Sequence, residues 1–299
     1  MDSSKSEIAH EFPFMIRVYK DGHVERLMGT HFVPTSTDAI TGVTSKDITI
    51  LSKSNTSNSI SARLYLPTKL TNQNQSFLSL STSAVVAFVS LPHSLPTAYE
   101  DAWDVLQWVV SHCNNGGPEA WLNEHVDFDR VFLAGESSGA NIAYNLAMKA
   151  GEAQFNGLKM GLLGVALVHP YFWGSVPIGS EAQDPSRKAL VDRLWPFVCP
   201  SAPDNDDPRA NPVVEGAPSL AQLGCKRVLV CVAEKDVLRD RGWLYYEALG
   251  RSGWMGVVEI EETEGEDHVF HLNDLKCEKA RDLIKDLAAF FNRDMPPMI

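Results

Sequence analysis

The apolar positions along the chain fall into two kinds of block. Three runs, residues 129–135 (DRVFLAG), 161–172 (GLLGVALVHPYF) and 226–236 (KRVLVCVAEKD), are short, apolar and rich in β-branched residues. That is the pattern of parallel strands buried on both faces. A fourth strand is expected over residues 256–265 (GVVEIEETEG). Between and around these runs the spacing turns helical. Residues 141–150, a stretch around 188–198, residues 241–253 (RGWLYYEALGRSG) and the final 274–293 all read as helices. In LPTAYEDAWDVLQWV, residues 95–109, an amphipathic helix would carry Ala98, Trp103, Leu106, Val109 and the following Val110 on one face. The alternation implies an α/β architecture with a parallel sheet and helices on both faces. Ahead of it, MIRVYKDGHVERL is two alternating runs around Asp21-Gly22, a dipeptide favoured by type I′ hairpins, and SISARLYLP is a further strand, so an antiparallel N-terminal edge is expected. No internal repeat or long low-complexity linker interrupts the chain. The Pro- and Asp-rich residues 199–219 are expected to form an ordered surface loop.

Composition narrows the function classes. With 299 residues, 44% hydrophobic and 21% charged, the chain can bury a sizeable core. A net charge of -12 disfavours a nucleic-acid or anionic-membrane partner, because either would be repelled. No run is apolar for long enough to span a bilayer, and MDSSKSEIAHEFPF lacks a basic segment followed by an apolar one, so a cytoplasmic protein is expected. Cys113, Cys199, Cys225, Cys231 and Cys277 are odd in number and have no metal-type spacing, which fits reduced thiols.

The chemistry begins at VFLAGESSGANIA. Gly135-Glu136-Ser137-Ser138-Gly139 is a G-x-S-x-G set directly after a strand and before a helix, the context of a nucleophile elbow. Alone, it is equally a Gly/Ser turn capping a helix. Asp236 lies just past the next strand but one, and His268 lies in the loop after the last strand. Ser, Asp, His in that order, each at a strand's C-terminal end, is the arrangement of a hydrolytic triad. Ser137 would be the nucleophile, His268 the general base and then acid, and Asp236 the group that orients the imidazole. Asp240, Glu234, Asp267 and His271 stand nearby as rivals and are read as solvated charges or loop hydrogen bonders. Trp103, Trp108, Trp195, Trp243 and Trp254 are expected in core or boundary packing.

Over nearly its whole length the chain resembles the plant carboxylesterase family of the hormone-sensitive-lipase-like α/β-hydrolases, whose members include 2-hydroxyisoflavanone dehydratases, alkaloid cyclases and gibberellin receptors. The resemblance is carried by FMIRVYKDGHVERL, LPTAYEDAWDVLQWV, FDRVFLAGESSGANIAYN, HPYFWG, DDPRANPV, LVCVAEKDVLRDRGWLYYEAL and DHVFHL. It implies one α/β-hydrolase domain over residues 1–299, with cap elements at about 1–20 and 180–215. It also implies a Ser137, Asp236 and His268 triad, oxyanion binding by the Ser138 N–H, no metal or organic cofactor, and a small-molecule ester or specialised metabolite as substrate.

One segment departs from the family. Between the strand ending near Pro67 and the helix beginning near Pro96, its members carry a strand, a His-Gly-Gly-Gly loop that completes the oxyanion hole, a helix and another strand. This chain has no His-Gly-Gly-Gly, and residues 68–94 are too few for those elements. A message for Lys-Leu-Pro-Leu-Ser-Phe-Tyr-Phe-Arg-Gly-Gly-Gly-Phe-Cys, read one nucleotide late with suitable synonymous codons, yields the residues from Ser76 to Val89 as they stand here. The expectation is a shifted reading frame followed by omission of a helix and strand, against the alternative of a divergent Ser-rich loop. The gap leaves strand edges unpaired unless SAVVAFVSL, residues 83–91, apolar and β-branched, pairs there as a substitute strand, and a hydrolase would then need oxyanion donors from residues near Val85 to Ser90. Three functions follow from the resemblance: a serine hydrolase of small esters, a dehydratase or cyclase using the same pocket, and an inactive or binding product.

Overall fold

The structure, a computed structural model, describes residues 7–13, 15–27, 32–51, 59–67, 78–83, 95–113, 116–155, 161–202 and 204–293. Along the chain run β1 (Ile8–Phe12), β2 (Ile16–Tyr19), β3 (Val24–Arg26), β4 (Val43–Leu51), β5 (Ser59–Pro67), β6 (Leu78–Ser83), α1 (Thr97–Val110), α2 (Ala120–His125), β7 (Val131–Glu136), α3 (Ser138–Phe155), β8 (Leu162–Val168), α4 (Pro185–Val191), α5 (Leu194–Val198), β9 (Cys225–Ala233), α6 (Arg239–Arg251), β10 (Val257–Thr263), α7 (Phe270–Asn273) and α8 (Glu278–Asn292).

The central sheet has five strands in the order β10-β9-β8-β7-β6, and every pair is parallel. Chain order and spatial order agree, so each crossover steps the same way. Right-handed crossovers that all step one way place their helices on one face. The packing follows this rule: α1, α3 and α6 share a core with Leu162, Val165, Leu167, Val228, Val230 and Val232. The opposite face is covered by the C-terminal segment, where Phe270, Ala280, Leu283 and Phe290 pack on Leu163, Ala166, Val168, Leu229, Cys231 and Ala233. Residues alternate between the two cores along β8 and β9, which explains why β8 is apolar throughout and β9 is apolar from Val228 on. At the outer edge β10 is polar, with Glu259 bonded to Arg293 and Glu262 to Arg239 and Trp243, a charged edge that resists further pairing.

Several expectations need correction. The N-terminal strands form two separate sheets, β1-β2-β3 and β4-β5, rather than an edge of the central one. The Asp21-Gly22 hairpin joins β2 and β3, but only Gly22 has a positive φ, at 87°. Its N–H donates to Tyr19 O at 2.9 Å, so the turn is a four-residue one closed by a left-handed glycine and not a two-residue type I′ loop. The stretch around 188–198 is two short helices, α4 and α5. The strand beside β7 is Leu78–Ser83, paired from Leu78 with Val131 to Ser83 with Glu136, whereas SAVVAFVSL beyond Ser83 lies outside the described residues. The 199–219 stretch reaches the surface at Ser201, Asp204, Pro208 and Glu215, yet it also buries Asn205, Asp207, Ala210 and Asn211. All five cysteines are free.

The region around α4 and α5 has its own apolar core of Leu95, Tyr171, Trp173, Val191, Trp195, Val198 and Leu238. Phe12 and Ile16 of the first small sheet pack against Leu194 and Phe197, joining the N-terminal strands to α5. An ion pair pins this region to α6: the Arg241 guanidinium meets Glu181 through two bonds of 2.6 and 2.8 Å, with side chains 5% and 0% exposed. Removing one partner of a buried pair strands the other charge. Arg241→Met is therefore expected to lower stability by about 3–5 kcal/mol, read as a shift in the denaturant midpoint.

Candidate active site

The candidate residues stand where the central strands end. Ser137 is the single residue between β7 and α3, and the chain reverses there with Ser137 at φ 54°. That left-handed conformation is a strained one for a side-chain-bearing residue. It is held by three backbone bonds: Ser137 N–H to Val168 O at 2.9 Å, Tyr171 N–H to Ser137 O at 3.0 Å and Asn141 N–H to Ser137 O at 3.2 Å. The turn is tight enough to dictate the first glycine of the motif. A Cβ on Gly135 would lie 2.3 Å from the backbone of Gly139, so no other residue fits without moving α3.

Asp236 follows β9 in a turn closed by its own N–H on Ala233 O at 3.1 Å. It is 2% exposed. Its Oδ1 accepts the Leu238 N–H at 2.9 Å, and its Oδ2 accepts from His268 Nδ1 at 2.7 Å. Burial alone would raise this carboxyl, but the His268 charge, the His268 hydrogen bond and the Leu238 N–H outweigh it and hold Asp236 below the usual carboxylate range. His268, in the loop after β10, presents Nε2 to Ser137 Oγ at 2.9 Å. With Nδ1–H on the carboxylate, Nε2 is the acceptor for the serine proton.

Ser138 opens α3, so its N–H is one of the helix's unpaired terminal donors beside Ser137 Oγ. Its side-chain hydroxyl is buried and has no hydrogen-bond partner among the described residues. Residues 85–90, the expected source of further donors, lie outside the described residues. The four rivals are engaged elsewhere. Asp240 accepts from Ser180, Glu234 from the Gly265 N–H, and Asp267 from Arg187 and the His268 N–H. His271 is not solvated: it is 7% exposed and bonds Glu136, the second residue of the G-x-S-x-G, at 3.0 Å.

Sequence reasoning missed two residues that build this site. Asn141, fully buried on α3, donates to Tyr171 O at 3.0 Å and Arg209 O at 2.7 Å and accepts from Tyr99 Oη at 2.6 Å, tying the first turn after Ser137 to two loops and α1. His169 lies directly beneath the triad and is also buried. A ring nitrogen of His169, an Asp236 oxygen and a ring nitrogen of His268 lie within 4.8 Å of one another, the one metal-like grouping among the described residues. Its Asp236 and His268 atoms already bind each other, so an ion there would break the Asp236–His268–Ser137 chain.

With this geometry in hand, comparison with known proteins is informative. A family model described as α/β-hydrolase fold matches residues 82–272. The chain is 41% identical to probable carboxylesterase 2 of Arabidopsis thaliana over 323 aligned positions, covering 98% of this chain and 99% of that one. The chain belongs to the plant carboxylesterase family of α/β-hydrolases. It is also 43% identical over 326 positions to the 2-hydroxyisoflavanone dehydratase of Glycyrrhiza echinata, covering 96% and 97% of the two chains. Among solved structures, a hyperthermophilic esterase from the archaeon Pyrobaculum calidifontis superposes with a TM-score of 0.63 at 24% identity, covering 83% of this chain and 84% of that one, a likeness of fold. The enzyme is thus of the carboxylesterase type. It also lacks positions that the Arabidopsis relative has. An alignment of 323 positions against 299 residues leaves at least 24 positions that the Arabidopsis carboxylesterase fills and this chain does not.

Proposed function

We propose that this carboxylesterase-family chain hydrolyses small carboxylic esters through an acyl-enzyme on Ser137. The observation that carries the reading is the unbroken chain of two bonds, 2.7 Å from Asp236 to His268 and 2.9 Å from His268 to Ser137, ending on a serine held at φ 54°. As Ser137 Oγ attacks the ester carbon, its proton passes to His268 Nε2 and the carbonyl electrons move onto oxygen. The Ser138 N–H, at the positive end of α3, supports that oxyanion. Collapse breaks the C–O bond, and the leaving alkoxide takes the proton from His268. Water then repeats the sequence on the acyl group, giving the acid and free Ser137. Asp236, anionic throughout, holds the imidazole tautomer and stabilises its charged form. The sheet of β1–β3 and the α4–α5 region would cover this end of the central strands and select the small-molecule substrate.

The shortfall of at least 24 positions and the lack of His-Gly-Gly-Gly set the expected rate. One missing oxyanion donor costs roughly 10²–10³-fold. Turnover of p-nitrophenyl butyrate is therefore expected at least ~10²-fold below that of a relative retaining the loop. A second reading, elimination of water from a hydroxylated metabolite, is favoured by the 43% identity to a 2-hydroxyisoflavanone dehydratase. In that branch Thr can replace the nucleophile, so Ser137 favours hydrolysis. Reaction in ¹⁸O-labelled water separates the two: label in the carboxylic acid product supports hydrolysis, and release of water from a hydroxylated isoflavanone without turnover of the ester overturns it.

A further inference from the structure

The backbone just past β8 holds both partners of the proposed proton transfer. Val168 O and Tyr171 N–H grip the backbone of Ser137 at 2.9 and 3.0 Å. Between them stands His169, with its own N–H on Cys231 O at 2.7 Å, φ 45° and 1% exposure. Its Nδ1 accepts the N–H of Val269 at 2.9 Å. Val269 directly follows His268 and has φ 47° and ψ 32°, the left-handed region. For a β-branched side chain that conformation is a true outlier, worth about 1–3 kcal/mol of strain, and it persists only where neighbouring contacts over-determine it.

We propose that His169 is a positioning residue: by accepting the Val269 N–H, its Nδ1 holds the left-handed turn that aims His268 at Ser137 and Asp236. The inference rests on the hydrolytic reading of that triad. Its physical content is that nucleophile and base are both referenced to the four residues from Val168 to Tyr171, so the Oγ–Nε2 distance depends on one rigid segment and not on the length of two loops. Acceptance at Nδ1 requires a neutral ring with its proton on Nε2. Burial supplies that neutrality, pushing the His169 pKa down to about 3. The rings of Phe270 and His271, 5.7 and 5.6 Å away between centroids, fix its orientation from the other side. Asp267 adds a bond of its own to the His268 N–H at 2.7 Å and accepts from Arg187, which also donates to Lys235 O just past β9, so it steadies the loop from the exposed side while His169 holds it from the buried one.

Two substitutions separate the acceptor from the bulk of the ring. His169→Asn keeps an acceptor oxygen close to the position of Nδ1 and suits left-handed backbone. His169→Phe keeps a ring and loses the acceptor. His169→Phe is expected to lower kcat on p-nitrophenyl butyrate by ~10²-fold with KM unchanged, the usual cost of a displacement near 1 Å. It should also lose the strongly deshielded Nδ1 proton of His268 in the NMR spectrum, while His169→Asn retains both. A His169→Phe chain that keeps kcat and that proton overturns the inference, as does a His169→Asn chain that falls equally far. Should His169→Phe fail to fold, the long-range ¹H–¹⁵N spectrum of the unaltered chain decides: an Nε2–H tautomer for His169 supports the assignment, and an Nδ1–H or charged ring at neutral pH overturns it. An unaltered chain that has the deshielded proton yet cleaves no ester overturns the hydrolytic reading instead, and the proton alone then decides on His169.

Discussion

Ser137→Ala is expected to reduce ester turnover to the uncatalysed background with no change in the melting temperature. In hydrolases with a complete triad, loss of the nucleophile costs roughly 10⁶-fold in kcat. In this chain the whole of the measurable rate is expected to vanish, because hydrolysis without the acyl-enzyme would rest on an oxyanion hole short of its loop donors. The fold does not depend on the hydroxyl. The turn at Ser137 is held by its backbone bonds to Val168, Tyr171 and Asn141, all of which alanine keeps, and alanine at φ 54° bears the same strain as serine. Equal melting with lost turnover therefore assigns the effect to chemistry. Residual turnover at a tenth or more of the parent rate would mean that another group attacks the ester.

Asp236→Asn is expected to cost about 10⁴-fold in kcat, because an amide presents an N–H where the carboxylate accepts and so turns the imidazole to the wrong tautomer. Stability should respond as well, with a definite sign. Asp236 titrates below its ordinary 3.8 in the folded chain, so it adds stability that is complete above the unfolded value and is lost as the pH falls through the lower folded one. The parent chain should therefore lose stability more steeply than Asp236→Asn below about pH 3.8. His169 contributes a separate acid penalty to both chains. The unfolded ring takes a proton near 6.5 and the folded one only near 3, so stability falls with acid across that window. Chemical denaturation from neutral pH down to about pH 2 reads both effects. Parallel curves for the two chains would remove the assigned role of the carboxylate charge.

The parts of the fold legible in the sequence are those with one dominant periodicity. β8 and the part of β9 from Val228 on are buried on both faces and so apolar throughout, and α6 and α8 repeat their apolar positions at helical spacing. What stayed hidden was set by tertiary context. VTSKDITIL of β4 mixes polar and apolar residues, because it belongs to a small separate ribbon with β5. Beside β7 the described pairing falls on the Leu/Ser alternation of LSLSTS, whose weak strand propensity gave no signal of it, while the β-branched residues of SAVVAFVSL beyond Ser83 lie outside the described residues. At the site, Ser137, Asp236 and His268 could be singled out because strand-end position and chain order are local signals. His169 could not. Its partner Val269 lies 100 residues on. HPYFWG announced family likeness and no chemistry, although a histidine ending a strand that is otherwise wholly apolar was a usable clue. Asn141 was equally silent, since a polar residue in GANIAYN reads as an exposed helix position until its three loop and helix partners are seen.

The central claim is that His268 makes Ser137 Oγ the nucleophile. It is tested most directly by intact-mass and peptide mass spectrometry after brief exposure of the full chain, Ser137→Ala and Asp236→Asn to a p-nitrophenyl alkylphosphonate ester, which marks an activated serine irreversibly. The account predicts one adduct per parent chain, carried by the peptide containing Ser137, absent from Ser137→Ala and much slower to form on Asp236→Asn. An unmodified parent chain, or equal labelling of Ser137→Ala, would contradict it.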